Sequence, residues 1–297
     1  MSVAMANYSI KDLEKISGIK AHTIRIWEKR YQLVNPRRTC TNIRLYSDED
    51  IKRILNVSIL NRHGFKISQI ANLDSRELNE KVLHISQHSP HEEDRVEQLV
   101  ICMIEMDENK FEKLLSSSIM KKGFEQTITS TIYPFLEKVG ILWQTGTINP
   151  AQEHFVSNLI RQKLIVAIDG LIPPENIKAK DFTLFLPEGE FHELGLLYYF
   201  YLIKKKGHKV IYLGNSVPLK DLVEVSAYHE PDLLVTFFVA AQVQDEHESY
   251  VFKLSEYFRK QKICISGLQT YNFDFQLPNN VEVYKDPIRF NEMLDSL

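Results

Sequence analysis

The strongest constraint lies in the last part of the chain. Over residues 181–297 short apolar runs alternate with amphipathic stretches. Residues 182–186, 209–213, 233–239, 263–266 and 281–284 have the length and composition of buried strands, and 194–206, 219–229, 246–260 and 288–297 have helical spacing. Strands that are apolar throughout are covered on both faces, and regular alternation with helices makes their pairing parallel. Five such units predict a flavodoxin-like order, in which ligands bind at the carboxyl edge of the strands. The stretch Pro187-Glu188-Gly189-Glu190-Phe191-His192-Glu193-Leu194-Gly195 falls at that edge, between the first strand and the first helix. A histidine on such a loop can ligate a metal, and a nearby carboxylate can fix its tautomer. Gly195 would let a large ligand lie close to the backbone. One His beside one Glu is equally compatible with an ordinary surface loop.

A chain of 297 residues suits two or three domains. No run of 18 apolar residues exists, so no membrane span is expected. The first residues, Met1-Ser2-Val3-Ala4-Met5-Ala6, lack the basic and apolar regions of a signal peptide. Cys40, Cys102 and Cys264 stand far apart, which fits a reducing cytoplasm and offers no thiolate metal site. Residues 1–75 hold 13 Lys and Arg against 7 Asp and Glu, while the remainder holds 23 against 32. A basic head on an acidic body points to a polyanionic partner for the head.

In that head, Ser9 precedes a short capped helix over 10–16, a turn follows at Ser17-Gly18-Ile19-Lys20, and a second helix runs over 21–31. Ile24 and Trp27 can face the first helix, leaving His22, Thr23, Arg25 and Lys29 outward. Two helices joined by a glycine turn form a helix-turn-helix pattern whose second helix would enter the major groove. Residues 35–46 alternate around a turn as a β-hairpin, with Arg37, Arg38, Arg44 and Tyr46 suited to phosphate contacts. Ser47-Asp48-Glu49-Asp50 opens a third helix that runs to about Arg62, and a shorter one covers 67–73. The residues Tyr8-Ser9-Ile10, 24–31, Pro36-Arg37-Arg38-Thr39, Arg44-Leu45-Tyr46-Ser47 and Gly64-Phe65 resemble the MerR family of winged helix-turn-helix regulators in order and spacing. The resemblance implies that the head binds double-stranded DNA, as a dimer or higher oligomer. Asn42 and Ile43 stand where the family often has a glycine and an aromatic at the wing tip; Asn tolerates the left-handed turn.

Residues 76–94 are polar, contain Pro90 and the histidines His84, His88 and His91, and are expected to be a solvated linker. Helical patterns over 95–170 predict a four-helix bundle, with 140–147 as a loop between its last two helices. Trp143 there reads as core packing, and Glu153-His154 as the start of a helix. These three residues are, however, similar to the helical cap of the cobalamin-binding, light-responsive branch of MerR-type repressors. That resemblance implies that Trp143, Glu153 and His154 cover the upper face of a cobalamin, adenosylcobalamin in that branch. The histidine often found beside the tryptophan is here Gln144.

Glu190-x-His192-x-x-Gly195 resembles the lower-ligand motif of cobalamin-binding domains. The implied roles are His192 as the cobalt ligand that displaces dimethylbenzimidazole, and Glu190 as the group orienting it. Leu213-Gly214-Asn215-Ser216-Val217-Pro218 looks like a second loop, lining the cleft for the nucleotide tail. A small hydroxyl residue is expected after the third strand, a role Thr236 would fill, but Phe237 and Phe238 follow it and would occupy the tail slot. A Gly-Gly pair is expected after the fourth strand; here it is Gly267-Leu268, and the leucine would obstruct the tail.

The expectation is a multidomain α and α/β chain: a winged helix-turn-helix head (1–75), a linker (76–94), a four-helix bundle (95–170) and a flavodoxin-like parallel sheet (181–297). It would be a cytoplasmic DNA-binding transcription regulator whose body senses a corrinoid. The alternative is a ligand-independent regulator whose body binds a protein partner or mediates oligomerisation. A cobalamin enzyme is not expected, because no catalytic barrel fits in the chain.

Overall fold

A computed structural model describes residues 8–39, 42–88, 92–144, 148–175, 177–240 and 244–297. By its internal contacts the chain divides between Leu159 and Ile160 into two compact units.

In the first unit, α1 (Ile10–Ser17) and α2 (Ala21–Tyr31) flank a turn at Gly18, whose φ of 70° demands a residue without a Cβ. Ser9 and Asp12 close a reciprocal capping box at the start of α1. The wing is a two-residue ladder, β1 (Arg37–Arg38) against β2 (Arg44–Leu45), antiparallel, with Arg38 opposite Arg44. Asn42 turns the wing tip at φ 64°, the left-handed conformation expected of it. Helix α3 (Asp48–Arg62), capped by Ser47, is the central helix of the unit, buried at Ile51, Ile54, Leu55, Val57, Ile59 and Leu60. A single turn, α4 (Ile67–Ile70), follows.

The expected linker is largely helical. Helix α5 (Ser75–His88) packs on α3, and α6 (Glu92–Glu105) begins four residues later. Leu78 and Val82 are buried, so an apolar pair a turn apart outweighs the polar composition around it. His84, His88 and His91 carry side chains outside the described residues. Helix α7 (Glu108–Lys122) leads to α8 (Phe124–Thr127), a π-helical turn (Ile128–Ile132) and α9 (Tyr133–Gln144). Pro134, which has no N–H and crowds the preceding turn, explains the wider ladder there. Since α9 runs to Gln144, Trp143 lies in its last turn and not in a loop. Helix α10 (Pro150–Asp169) starts on a proline, as expected of a first turn.

The second unit holds a five-stranded parallel sheet in the order β4-β3-β5-β6-β7, the flavodoxin-like arrangement. Its strands are β3 (Asp181–Pro187), β4 (Lys209–Val217), β5 (Leu233–Phe237), β6 (Lys262–Ser266) and β7 (Val281–Val283). Strand β3 is central, pairing Phe182 with Val210 on one side and Leu233 on the other. Helices α11 (Leu194–Lys205) and α14 (Pro287–Asp295) meet through the stacked rings of Tyr199 and Phe290. The other core gathers Leu222 of α12 (Leu219–Ser226) and Val251 and Leu254 of α13 (Gln244–Tyr257) with Leu234 and Ile263 of the sheet. Strand β4 is longer than expected: residues 213–217 continue it instead of forming a loop, bent by positive φ at Gly214 and Ser216.

Candidate functional site

In the head, α2 presents His22, Arg25 and Lys29 to solvent, with Thr23 half-buried and Ile24 and Trp27 in the core. Arg37 and Arg38 are exposed on β1. Arg38 donates to Asn42 Oδ1 at 2.6 Å. Arg44 is held by Glu28, with Nε 2.9 and 3.1 Å from the two carboxylate oxygens. Tyr46 departs from the expectation: it is fully buried, bridges to Tyr8 through the backbone and donates its hydroxyl to Glu28 Oε2 at 3.2 Å. Burial and the neighbouring carboxylate push its phenol well above the usual range. Glu28 is therefore the hub that ties the wing to α2, and Tyr46 is one of its anchors and not a phosphate contact.

In the helical part, Trp143 is 51% exposed, which departs from core packing. Glu153 and His154 form a pair, with Oε2 2.8 Å from Nδ1, and Ser157 donates to Glu153 Oε1 at 2.5 Å. The Gln144 side chain lies outside the described residues. A cleft of about 670 Å³ in the same unit is lined by Lys15, Asn61, Arg62, Glu93, Glu97 and Lys138. Its walls belong to an ion-paired seam, in which Arg62 bonds Asp94 and Glu97 at 2.7 Å each.

In the sheet unit, the loop after β3 folds over the end of β5. Glu190 is 3% exposed. One of its oxygens accepts from the Phe191 amide (3.0 Å), the His192 amide (3.1 Å) and His192 Nδ1 (2.6 Å). The other accepts from the amides of Val239 (2.8 Å) and Ala240 (2.7 Å), just beyond β5. Burial alone would raise the carboxyl's pKa; the hydrogen bonds from His192, Ala240 and Val239 prevail and hold it at about 2. Glu190 is thus a carboxylate that accepts from His192 Nδ1, and whenever the ring is neutral that tautomer places its lone pair on Nε2. The His192 side chain is 58% exposed, so an oriented imidazole stands at the carboxyl edge of the sheet. Such an imidazole could ligate a metal, and the Glu190 carboxylate on its other nitrogen would raise its basicity.

The remaining expected positions are placed as follows. Gly195 faces the Phe237 ring: a Cβ there would lie 2.6 Å from Phe237 Cε1. Its missing side chain accommodates that ring, where a ligand was expected. Gly267, at φ 106°, brings its backbone against Phe238, whose carbonyl oxygen would lie 2.4 Å from an added Cβ. Leu268 starts the short 3-10 turn after it and is exposed. Gly214 supplies a bend at φ 82° in the edge strand. Thr236 is fully buried, and its hydroxyl lacks a hydrogen-bond partner among the described residues. Phe238 points away from α11 into the core with α13, its ring 5.1 Å from that of His247.

Sequence reasoning missed Val239 and Ala240, which act through backbone amides that any residue type provides. It also missed the second brace of the loop, Glu193, which accepts from Tyr212 at 2.8 Å and Arg161 at 2.5 Å. Among the described residues no group of three His, Cys, Asp or Glu side chains is placed to hold a metal ion. No described helix is long and apolar enough to cross a membrane.

Residues 8–77 match the MerR HTH family of regulatory proteins, and residues 95–167 match the B12 binding domain family. The HTH-type transcriptional repressor CarH of Myxococcus xanthus is 27% identical over 260 residues, 86% of each chain. CarA of the same organism is 28% identical over 249 residues, 81% of this chain and 79% of that one. The Escherichia coli regulator MlrA is 36% identical over 73 residues, 25% of this chain and 30% of that one. Among solved structures, a Methanosarcina barkeri monomethylamine corrinoid protein superposes over 74% of this chain and all of its own, with a TM-score of 0.53 at 16% identity. That last likeness is one of fold.

Proposed function

We propose that this chain, a MerR-family regulator joined to a B12 binding domain, is a DNA-binding transcription regulator whose body senses a corrinoid through His192. The observation that carries the proposal is the Glu190–His192 pair: a buried carboxylate fixes the tautomer of an exposed imidazole at the carboxyl edge of the sheet. A corrinoid, where bound, would supply a cobalt centre and its metal–carbon chemistry, and His192, oriented by Glu190, would be the residue that holds the metal; the interior behind His192 is already filled by Phe237.

Each residue has a task in this reading. His192 binds through Nε2, and Glu190 holds Nδ1–H and anchors the loop to the end of β5. Trp143 is half-exposed and Glu153 pairs with His154, and the resemblance alone assigns these three to the corrinoid. In the head, His22, Thr23, Arg25 and Lys29 read the major groove, while Arg37, Arg38 and Arg44 hold phosphates. An adenosyl corrinoid is the proposed ligand form, as the resemblance to the light-responsive branch of MerR-type repressors implies, and a homodimer or homotetramer the proposed assembly. Ligand state controls DNA affinity by favouring one assembly over another, to the extent of its differential affinity for the two. No residue is assigned a catalytic task.

The test is an absorbance spectrum of the purified chain after dark incubation with a corrinoid and desalting. Retained corrinoid, lost in His192→Ala, is the expected result. Retention that survives His192→Ala refutes axial ligation by this histidine. A second reading, a regulator whose body binds a protein partner without any corrinoid, is favoured by the packing of Phe237, and no retention of any corrinoid selects it.

A further inference from the structure

If His192 held a corrinoid through its cobalt, it would take the place of any base of the corrinoid's own that ligates the metal, and that base would be released. The released base, an aromatic bicycle on a nucleotide tether, either enters an apolar slot beside the histidine or stays in water. Beside His192 the interior between the sheet, α11 and α14 is full. The Phe237 ring lies against the backbone of Gly195, so close that a single Cβ there would overlap it. Tyr199 packs on Phe237 edge-on, with centroids 4.7 Å apart, and stacks on Phe290 at 4.0 Å. Tyr284 closes the far side, 5.4 Å from Phe290. All four rings are buried. The neighbouring passage along β6 is shut by backbone, because Gly267 rests on the carbonyl of Phe238. Protein interiors are packed to crystal-like density, so a bicyclic base enters only by expelling a ring of similar size.

Resting on the corrinoid reading, we infer that Phe237 stands in the volume a lower base would need, and that the body therefore takes corrinoids whose lower base is absent or left in solvent. Cobinamides, which have the corrin ring and no nucleotide base, are the ligand class that meets this requirement with nothing left over. A base-bearing cobalamin gives up its own axial bond and recovers no burial in return.

The decisive measurement compares adenosylcobinamide with adenosylcobalamin, which share the upper ligand and the corrin. Each is titrated in the dark into the full chain and followed by absorbance. Wild type is expected to bind adenosylcobinamide about tenfold or more tighter, because adenosylcobalamin has to give up the bond between its own base and the metal and gains no burial for it. Phe237→Ser, checked for folding by circular dichroism, is expected to gain about tenfold or more for adenosylcobalamin and to keep its cobinamide affinity. Wild type that binds adenosylcobalamin equally well or better overturns the inference and leaves the corrinoid reading standing. A folded Phe237→Ser variant with no gain for cobalamin overturns the assignment to Phe237. Failure of wild type to hold either compound removes the corrinoid reading itself. The wild-type comparison needs no variant, so it decides even where the substitution unfolds the sheet.

Discussion

Glu190 accepts five hydrogen bonds on one buried carboxylate, from Phe191, His192 (twice), Val239 and Ala240. A glutamine there has one acceptor oxygen and turns an NH2 toward two of those donors. Glu190→Gln is expected to cost about 2–3 kcal/mol, because buried amides lose their partner, read as a lower urea midpoint at neutral pH. The carboxyl's folded-state pKa is depressed, from an ordinary value near 4.5 to about 2. Its contribution is therefore complete above pH 4.5 and disappears as the pH falls toward 2, so the gap between wild type and variant should close in acid. Gly195 gives a second residue-scale prediction. Gly195→Ala drives a methyl into the Phe237 ring and should destabilise by about 1–3 kcal/mol, with Phe237→Leu in the same chain restoring part of the loss. At this scale the sequence was half legible. His192, Glu190 and the glycines stood out by residue type. Partners that act through backbone, Val239 and Ala240, left no trace in it. The fit of Phe237 into Gly195 needs three dimensions, since the two positions lie 42 residues apart and only strand–helix packing brings them together.

Among the elements, α3 and α6 are joined by a buried ion-pair cluster that a single substitution can break. Arg62 reaches from α3 to Asp94 and Glu97 on α6, both almost fully buried, while His63 Nε2 lies 2.6 Å from the same Asp94. Removing the guanidinium takes a hydrogen bond from Glu97, whose carboxyl burial already pushes up, and leaves Lys138 as a positive neighbour. Arg62→Ala is expected to destabilise by about 2–3 kcal/mol, the cost of leaving buried carboxyl oxygens without their donor, and denaturation of the full chain would measure it. A loss below about 1 kcal/mol would mean that water already solvates the seam. This joint also explains why residues 76–94 were misread. Asp94 looks like a linker acid because it follows Glu92 and Glu93, yet it is wholly buried by ion pairs that a linear pattern does not display. The other misplaced boundary, at Trp143, follows from treating Gly140 as a break; glycine within a helix costs only about 1 kcal/mol, and α9 passes through it.

For the whole molecule, strand order and fold class were legible, because buried parallel strands show as bare apolar runs and the alternation with helices leaves few topologies. The charge division was legible too, and it sets a test. With phosphate contacts at Arg37 and Arg38, the logarithm of DNA affinity should fall linearly with the logarithm of salt. Arg37→Ala with Arg38→Ala should flatten that slope by about 2 and weaken all sequences alike; a loss confined to one operator would refute the assignment. The central position of β3 has a consequence during synthesis. It is the first strand of its sheet to leave the ribosome, and it has two apolar faces and two edges to fill. Strand β4 covers one edge, but residues 188–232 must all be made before β5 can cover the other. At ordinary elongation rates that interval is about 2–9 s. For that time the nascent chain displays a ready template for wrong pairing, and stalled chains that have emerged only to residue 217 should recruit holdase chaperones more strongly than those that have emerged beyond residue 266.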